Sequence, residues 1–309
     1  MSRLGFRVAL TAALLGGSAL AQAETLTIAT VNNADMIVMQ RLSPQWEQAS
    51  GHTLNWVVLE ENVLRQRATT DIATQGGQFD IITIGSYEAP IWGKSGWLNT
   101  LDDLGDDYDY DDLIPTVKNG LSHDGKLYAV PFYAESSFTF YRKDLFDQAG
   151  LTMPEAPTYT QIAEFAEKLT DKSKEQYGVC LRGKPGWGEN MAFLGSMARS
   201  YGANYFDADW QPQFESEGWR NAVNLYVELM REVGPPGASS NGFNQNLTLF
   251  NQGRCAMWMD ATVAASFVTN PEESQVAENV GFAQFPCGIE NCPNNGANWL
   301  WAWSLAIPA

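Results

Sequence analysis

Apolar runs alternate with amphipathic stretches along the first hundred residues. Leu26–Val31, Thr53–Leu59 and Phe79–Ile84 are short, rich in β-branched and aromatic residues, and read as strands. Between them, a helix is expected from Asp35, read as its N-cap, to about Ser50, where Gly51 supplies a stop. A second helix is expected from about Val63 to Thr74, ending at Gly76 and Gly77. Strands that alternate with helices predict a mostly parallel sheet covered on both faces. Ligands of such sheets lie beyond the carboxyl ends of the strands. Here those ends are Asn32 and Asn33, the stretch 60–62, and the stretch 86–88. Asn32 and Asn33 suit ligand contact and a turn equally well.

Two short strands follow, Lys126–Pro131 and Phe138–Arg142. A new α/β set comes after them, with helices over Tyr159–Leu169, Asn190–Tyr201 and Glu217–Val233. Its strands are Gly178–Arg182, Cys255–Met259 and Val280–Phe285. Gly234-Pro-Pro-Gly237 is the sharpest break and reads as a loop within this second unit. The chain is long enough for two domains of ordinary size.

The N-terminus changes the picture of where the protein resides. Arg3 and Arg7 precede an apolar stretch too short to span a bilayer, and Ala21-Gln22-Ala23 has the small-x-small form of a cleavage site. Residues 1–23 therefore read as an export signal cleaved near Ala23, which predicts a periplasmic protein. The net charge of -17 becomes more negative once both arginines are removed. Such acidity argues against nucleic acid or anionic membrane as a partner. Cys180, Cys255, Cys287 and Cys292 suit disulfides in an exported chain. Four cysteines allow three pairings, of which Cys287–Cys292 with Cys180–Cys255 is favoured. Zinc is disfavoured, because there is no C-x-x-C pair and His52 and His123 lie far from any cysteine in sequence.

Signatures of catalysis fail in turn. Neither H-E-x-x-H nor G-x-S-x-G occurs. Residues 178–184 resemble a phosphate loop, but Pro185 stands where a hydroxyl should hold magnesium. Seven aspartates crowd residues 102–112; Asp112 and Lys118 occupy positions where a calcium loop needs Gly and Glu, so a solvated acidic loop is expected. No cofactor is implied. Glu135, Glu189 and Asp260 could act as a glycosidase acid–base pair. The same carboxylates could accept hydrogen bonds from neighbouring hydroxyls of a polyol while aromatic faces cover its C–H surface. Trp187 sits in a glycine-rich loop. Trp299, Trp301 and Trp303 alternate, which on a strand places all three on one face. Core packing is the competing account of each tryptophan.

Several segments resemble those of a known family. They are residues 60–67, 76–80, 130–137, 141–146, 180–190, 234–242, 255–262 and 299–308. Through them the chain resembles the extracellular solute-binding proteins of ABC importers, and within these the mannitol/sorbitol branch. The resemblance implies a two-lobed α/β periplasmic-binding-protein fold with a hinge and an interlobe ligand cleft. The lobes would comprise residues 24–135 and 136–299, with 300–309 returning toward the first. It implies a monomer that captures a linear polyol and delivers it to an ABC permease and its ATPase, without catalysis. A secreted glycoside hydrolase-like enzyme, or a binder of another mono- or oligosaccharide, is the alternative. Ligand contacts are expected from Tyr133 and Glu135 at the hinge, Trp187, Glu189 and Asn190 on a second-lobe loop, Asp260 at a strand end, and Trp299 and Trp301 near the return crossing. Asn32 and Asn33 join them from the strand-end argument. Family members run on for roughly another hundred residues, so the sequence is expected to be incomplete at its C-terminus.

Overall fold

The computed structural model describes residues 23–186, 188–289 and 297–309. The export signal therefore falls almost wholly outside the described residues, as do Trp187 and the Cys287–Cys292 pairing. Eleven strands occur among them: β1 Thr25–Val31, β2 Thr53–Leu59, β3 Ile81–Gly85, β4 Ser122–His123, β5 Lys126–Leu127, β6 Val130–Glu135, β7 Ser137–Arg142, β8 Tyr177–Cys180, β9 Cys255–Ala261, β10 Val280–Gln284 and β11 Trp301–Ala306. The α-helices are α1 Ala34–Ser50, α2 Glu61–Thr74, α3 Glu88–Lys94, α4 Pro115–Gly120, α5 Lys143–Gln148, α6 Tyr159–Leu169, α7 Asn190–Ser200, α8 Glu217–Glu228, α9 Phe243–Asn251 and α10 Ala265–Val268.

The strands form two main sheets. The first has the order β2-β1-β3-β11-β6, and the second β10-β7-β9-β8. In the first, β1 runs parallel to β2 and β3, whereas β11 is antiparallel to β3 and β6. The chain leaves the first sheet after Glu135, enters the second at Ser137, and returns to the first as β11. This is the two-lobed α/β architecture, with each sheet buried in its own core. Leu64, Ile82, Ile84, Trp92 and Trp303 belong to the first core. Phe146, Tyr159, Phe193, Met197 and Met259 pack on one face of the second sheet, and Phe140, Phe250 and Trp258 on the other.

Local chemistry explains the elements that matter for the cleft. The N-cap of α1 is Asn33, not Asp35: its Oδ1 accepts from the Met36 amide at 2.9 Å. Glu60 caps α2 in the same way. A reciprocal Thr158–Gln161 capping box starts α6. The Glu217–Val233 stretch runs as α8 and then a π turn over Leu229–Val233. In the acidic loop, Asp109 accepts from the Asp111 and Asp112 amides and so serves a turn, while Asp102 accepts from the Leu127 amide and ties the loop to β5. Strand β9 is buried at all seven positions, and Asp260 is its one charged residue. Cys180 and Cys255 form a disulfide across the parallel strands β8 and β9, as expected.

Candidate functional site

A cavity of about 790 Å³ opens between the two sheets. Its first-lobe wall comes from the end of β1, the start of α2, the end of β6 and the start of β11. Its second-lobe wall comes from residues 182–199 and the start of α9. The N-termini of α1, α2 and α9 reach this space, so several helix dipoles turn their positive ends towards it. Carboxylates and amides of the chain already occupy those ends: Asn33, Glu60 and, against the cap of α9, Glu189, whose carboxylate would meet a Cβ placed on Gly242.

The second-lobe wall is organised by Arg182, two residues beyond β8. It is buried and grips Asp260 through Nε at 3.0 and 3.1 Å and Nη2 at 2.6 Å. Its Nη1 donates to the Gly188 carbonyl at 2.6 Å, and its guanidinium lies 5.3 Å from the Phe243 ring centre. Asp260 also accepts from the Trp258 indole at 3.0 Å and the Ala261 amide at 2.7 Å. A carboxylate has room for about four acceptor contacts. Asp260 is thus filled by the protein itself, fully buried, and absent from the cavity lining. Asp260, expected from the sequence to contact ligand, lies behind Arg182 with its oxygens taken by protein donors. Burial acts against the Arg182 charge, but Asp260, Glu61 and Glu189 more than compensate and hold its proton above the usual range.

The first-lobe wall is aromatic and braced from behind. Arg65 pairs with Glu61 at 2.8 Å and with Glu88, and its guanidinium lies over the rings of Trp301 (5.1 Å) and Trp303 (5.2 Å). Those two rings meet edge to face at 5.3 Å. A Cβ on Gly85 would come within 1.9 Å of the Trp301 ring, so glycine is what lets this indole lie on β3. Burial raises the Glu88 carboxyl above its ordinary range despite the opposing Arg65 charge. Trp299 differs from its two neighbours. It precedes β11 and packs on Phe285 of the second core at 5.5 Å, although it too lines the cavity. The three alternating tryptophans therefore do not share one strand face.

Asn32, Asn33, Tyr133, Glu135 and Glu189 also line the cavity. Asn33 donates from Nδ2 to the Tyr133 hydroxyl at 2.9 Å, and burial followed by the Glu135 charge raises the Tyr133 phenol far above normal. Glu135 ends β6, opposite Trp301. Burial pushes its carboxyl up to about 8, with Asp260, Glu61 and Asp35 adding to the effect and Arg182 opposing it. Oε2 of Glu135 and Oε2 of Glu189 are buried without hydrogen-bond partners among the described residues. Burial also raises Glu189, with Arg182 opposing. Asn190 opens α7 but lies outside the cavity lining. Glu61 falls in the strand-end stretch 60–62 named from the sequence, whereas Arg182, Lys184, Arg65 and Phe243 were missed by sequence reasoning. Position alone signalled Arg182, a cation just past a strand end at the crevice.

The lobes touch across the cleft. Lys184 of the second pairs with Glu60 of the first, and Gly186 and Gly188 lie against Asn62 and Glu61 respectively. A Cβ on Gly188 would fall 2.1 Å from Glu61 Oε1, so a larger residue there would have to displace the Glu61 side chain.

Two sheets joined by crossing strands, with a polar, aromatic-walled cleft between them, define a binding protein of the two-lobed class. The chain belongs to the bacterial extracellular solute-binding protein family, whose pattern it matches over residues 32–309. It is 59% identical over 305 residues to a mannitol-binding protein of Pseudomonas aeruginosa, spanning 98% of this chain and 69% of that one. A solved ABC-transporter solute-binding protein from Agrobacterium vitis S4, with bound D-mannitol, is 63% identical at a TM-score of 0.88, covering 93% of this chain and 69% of that one. Another from Agrobacterium radiobacter K84, in complex with ribitol, is 29% identical at a TM-score of 0.84, covering 92% and 71%.

Proposed function

We propose that this chain is the periplasmic substrate-binding component of an ABC importer, capturing a linear polyol such as mannitol or sorbitol and presenting it to the membrane permease and its ATPase. The observation that carries the reading is the pairing of walls in one cavity. Trp299, Trp301 and Trp303 line it together with buried carboxyl oxygens of Glu135 and Glu189 that lack hydrogen-bond partners among the described residues. A polyol meets both demands, since its C–H face covers indole and its hydroxyls both donate to and accept from carboxyl groups. The mannitol and ribitol bound by the two relatives above support the same ligand class.

The interior cations are already matched by carboxylates: Arg182 by Asp260, Arg65 by Glu88 and Glu61, Lys184 by Glu60. A sugar acid or phosphate would face Glu61 and Glu189 where Arg65, Arg182 and Lys184 are already paired, with only Arg199 of the described lining cations lacking a carboxylate, which disfavours anionic ligands. We assign the hinge to Ser136 and residues 298–300, where the Ser136 hydroxyl donates to the Trp299 carbonyl at 2.9 Å and the Ser137 hydroxyl to Asn298 at 2.9 Å. Closure about it would bury the ligand and create the state that the permease reads. The chain acts without catalysis and reaches the periplasm by cleavage near Ala23. Among the described residues no helix is long and apolar enough to cross a membrane.

A micromolar complex needs about 8 kcal/mol in total, within reach of several charge-assisted hydrogen bonds and aromatic cover. Titrating the protein with mannitol, sorbitol, ribitol and common monosaccharides while following tryptophan fluorescence tests the reading. A saturable change with a hexitol is expected. Silence across the panel would remove the ligand class, and turnover of a glycoside would favour the enzyme alternative.

A further inference from the structure

Two carboxylates of the cleft, Glu135 and Glu189, each keep a buried oxygen without a hydrogen-bond partner among the described residues. Arg182 is held by Asp260 at 2.6 Å, Lys184 pairs with Glu60, and Arg65 pairs with Glu61 and Glu88. Arg199 is exposed and turned to Asn204. Glu135 and Glu189 remain. The Glu189 oxygens stand 3.8 Å from both Arg182 Nη1 and Lys184 Nζ, beyond hydrogen-bond reach. Glu189 is 5% exposed, lines the cavity, and its Oε2 has no partner among the described residues. Glu135 Oε2 is in the same condition at the opposite lobe. The charged groups acting on Glu135 are three acids, Asp260, Glu61 and Asp35, and one cation, Arg182, which Asp260 already claims.

We propose that the cleft also binds cationic relatives of its ligand, linear amino-polyols in which an ammonium replaces one hydroxyl, with the ammonium held by the carboxylates around Arg182. This rests on the polyol reading of the same cavity. A hydroxyl offers one donor to these oxygens, whereas an ammonium offers three and brings a positive charge. The tryptophan wall serves both ligands, because it meets only the carbon chain. A proton also moves. Burial holds the Glu135 carboxyl at about 8, so it is largely protonated at neutral pH. An ammonium beside it favours the carboxylate, and the displaced proton leaves to solvent.

The test is calorimetry on the full chain with mannitol and with 1-amino-1-deoxymannitol, in two buffers of different ionisation enthalpy near neutral pH. The amine is expected to bind within about tenfold of mannitol or tighter. It should weaken more than mannitol as salt rises, and it should release a fraction of a proton that mannitol does not release. In Glu135→Gln, the amine should lose at least about tenfold more affinity than mannitol does. If mannitol binds and the amine does not, or if the amine binds without proton release and Glu135→Gln leaves the ratio unchanged, the proposal is wrong. If mannitol itself fails to bind, the polyol reading falls separately. The proton measurement uses the unaltered protein and does not depend on the variant folding.

Discussion

Each lobe brings an arginine–carboxylate pair to the cleft, and the two pairs are put to different uses. In the first lobe, Arg65 joins Glu88 and lies under Trp301 and Trp303, so its charge braces an apolar wall from behind. In the second, Arg182 joins Asp260 inside the sheet, and the pair supports the polar wall from which Glu189 projects. Glu88 retains a raised proton affinity because burial outweighs its partner. Asp260 is surrounded by donors from Arg182, Trp258 and Ala261. The contrast leaves Asp260 with its oxygens answered by protein donors and Glu189 with one oxygen open. On the proposed reading, filled oxygens mark support and an open one marks contact.

The sharpest way to break this contrast is Asp260→Ala. It leaves the buried Arg182 charge without its main partner on β9, and about 3–5 kcal/mol of stability should be lost. Urea denaturation followed by circular dichroism would show it. A variant that is stable yet unable to bind polyol would instead return Asp260 to the ligand. Gly85→Ala attacks the other pair's wall. Its Cβ collides with the Trp301 ring, so the ring must move at a cost of about 1–3 kcal/mol. Weaker binding with the second lobe intact is expected, read by mannitol titration; unchanged affinity would separate Trp301 from the site.

The pH dependence sharpens the comparison further. Glu135 binds its proton more tightly in the folded than in the unfolded chain. Its contribution therefore favours folding at low pH and is lost progressively as pH rises from about 4.5 to about 8. The slope is at most about 1.4 kcal/mol per pH unit. Denaturation midpoints compared between the wild type and Glu135→Gln should show the variant with a flatter profile across that window; parallel profiles would contradict it. The smallest effect belongs to Lys184→Ala. The pair with Glu60 is partly solvated, so less than about 1 kcal/mol is expected, diminishing with added salt.

Much of the secondary structure was legible along the chain. Thr53–Leu59 and Tyr159–Leu169 have the expected limits, because pattern and flanking signals agree there. The α1 cap moved from Asp35 to Asn33, since both are good caps and only the backbone direction chooses. Helix α9 was missed: Phe-Asn-Gln-Asn-Leu-Thr-Leu-Phe-Asn is rich in weak helix formers, and its contact with Trp258 and Phe140 is tertiary. Trp299 left the expected common face because the strand starts only at Trp301.

The alternation of strands and helices follows from residue order, because it depends on neighbours a few positions away, whereas the crossing near residue 136 and the grouping of Tyr133, Glu135 and Glu189 with the tryptophans came from resemblance to the family. Which carboxylate is answered and which is left open was decided only by the folded chain. Arg182 reaches Asp260 across 78 positions and Lys184 reaches Glu60 across 124. Electrostatic partnership is set by separation and burial in space, and neither is encoded in spacing along the chain.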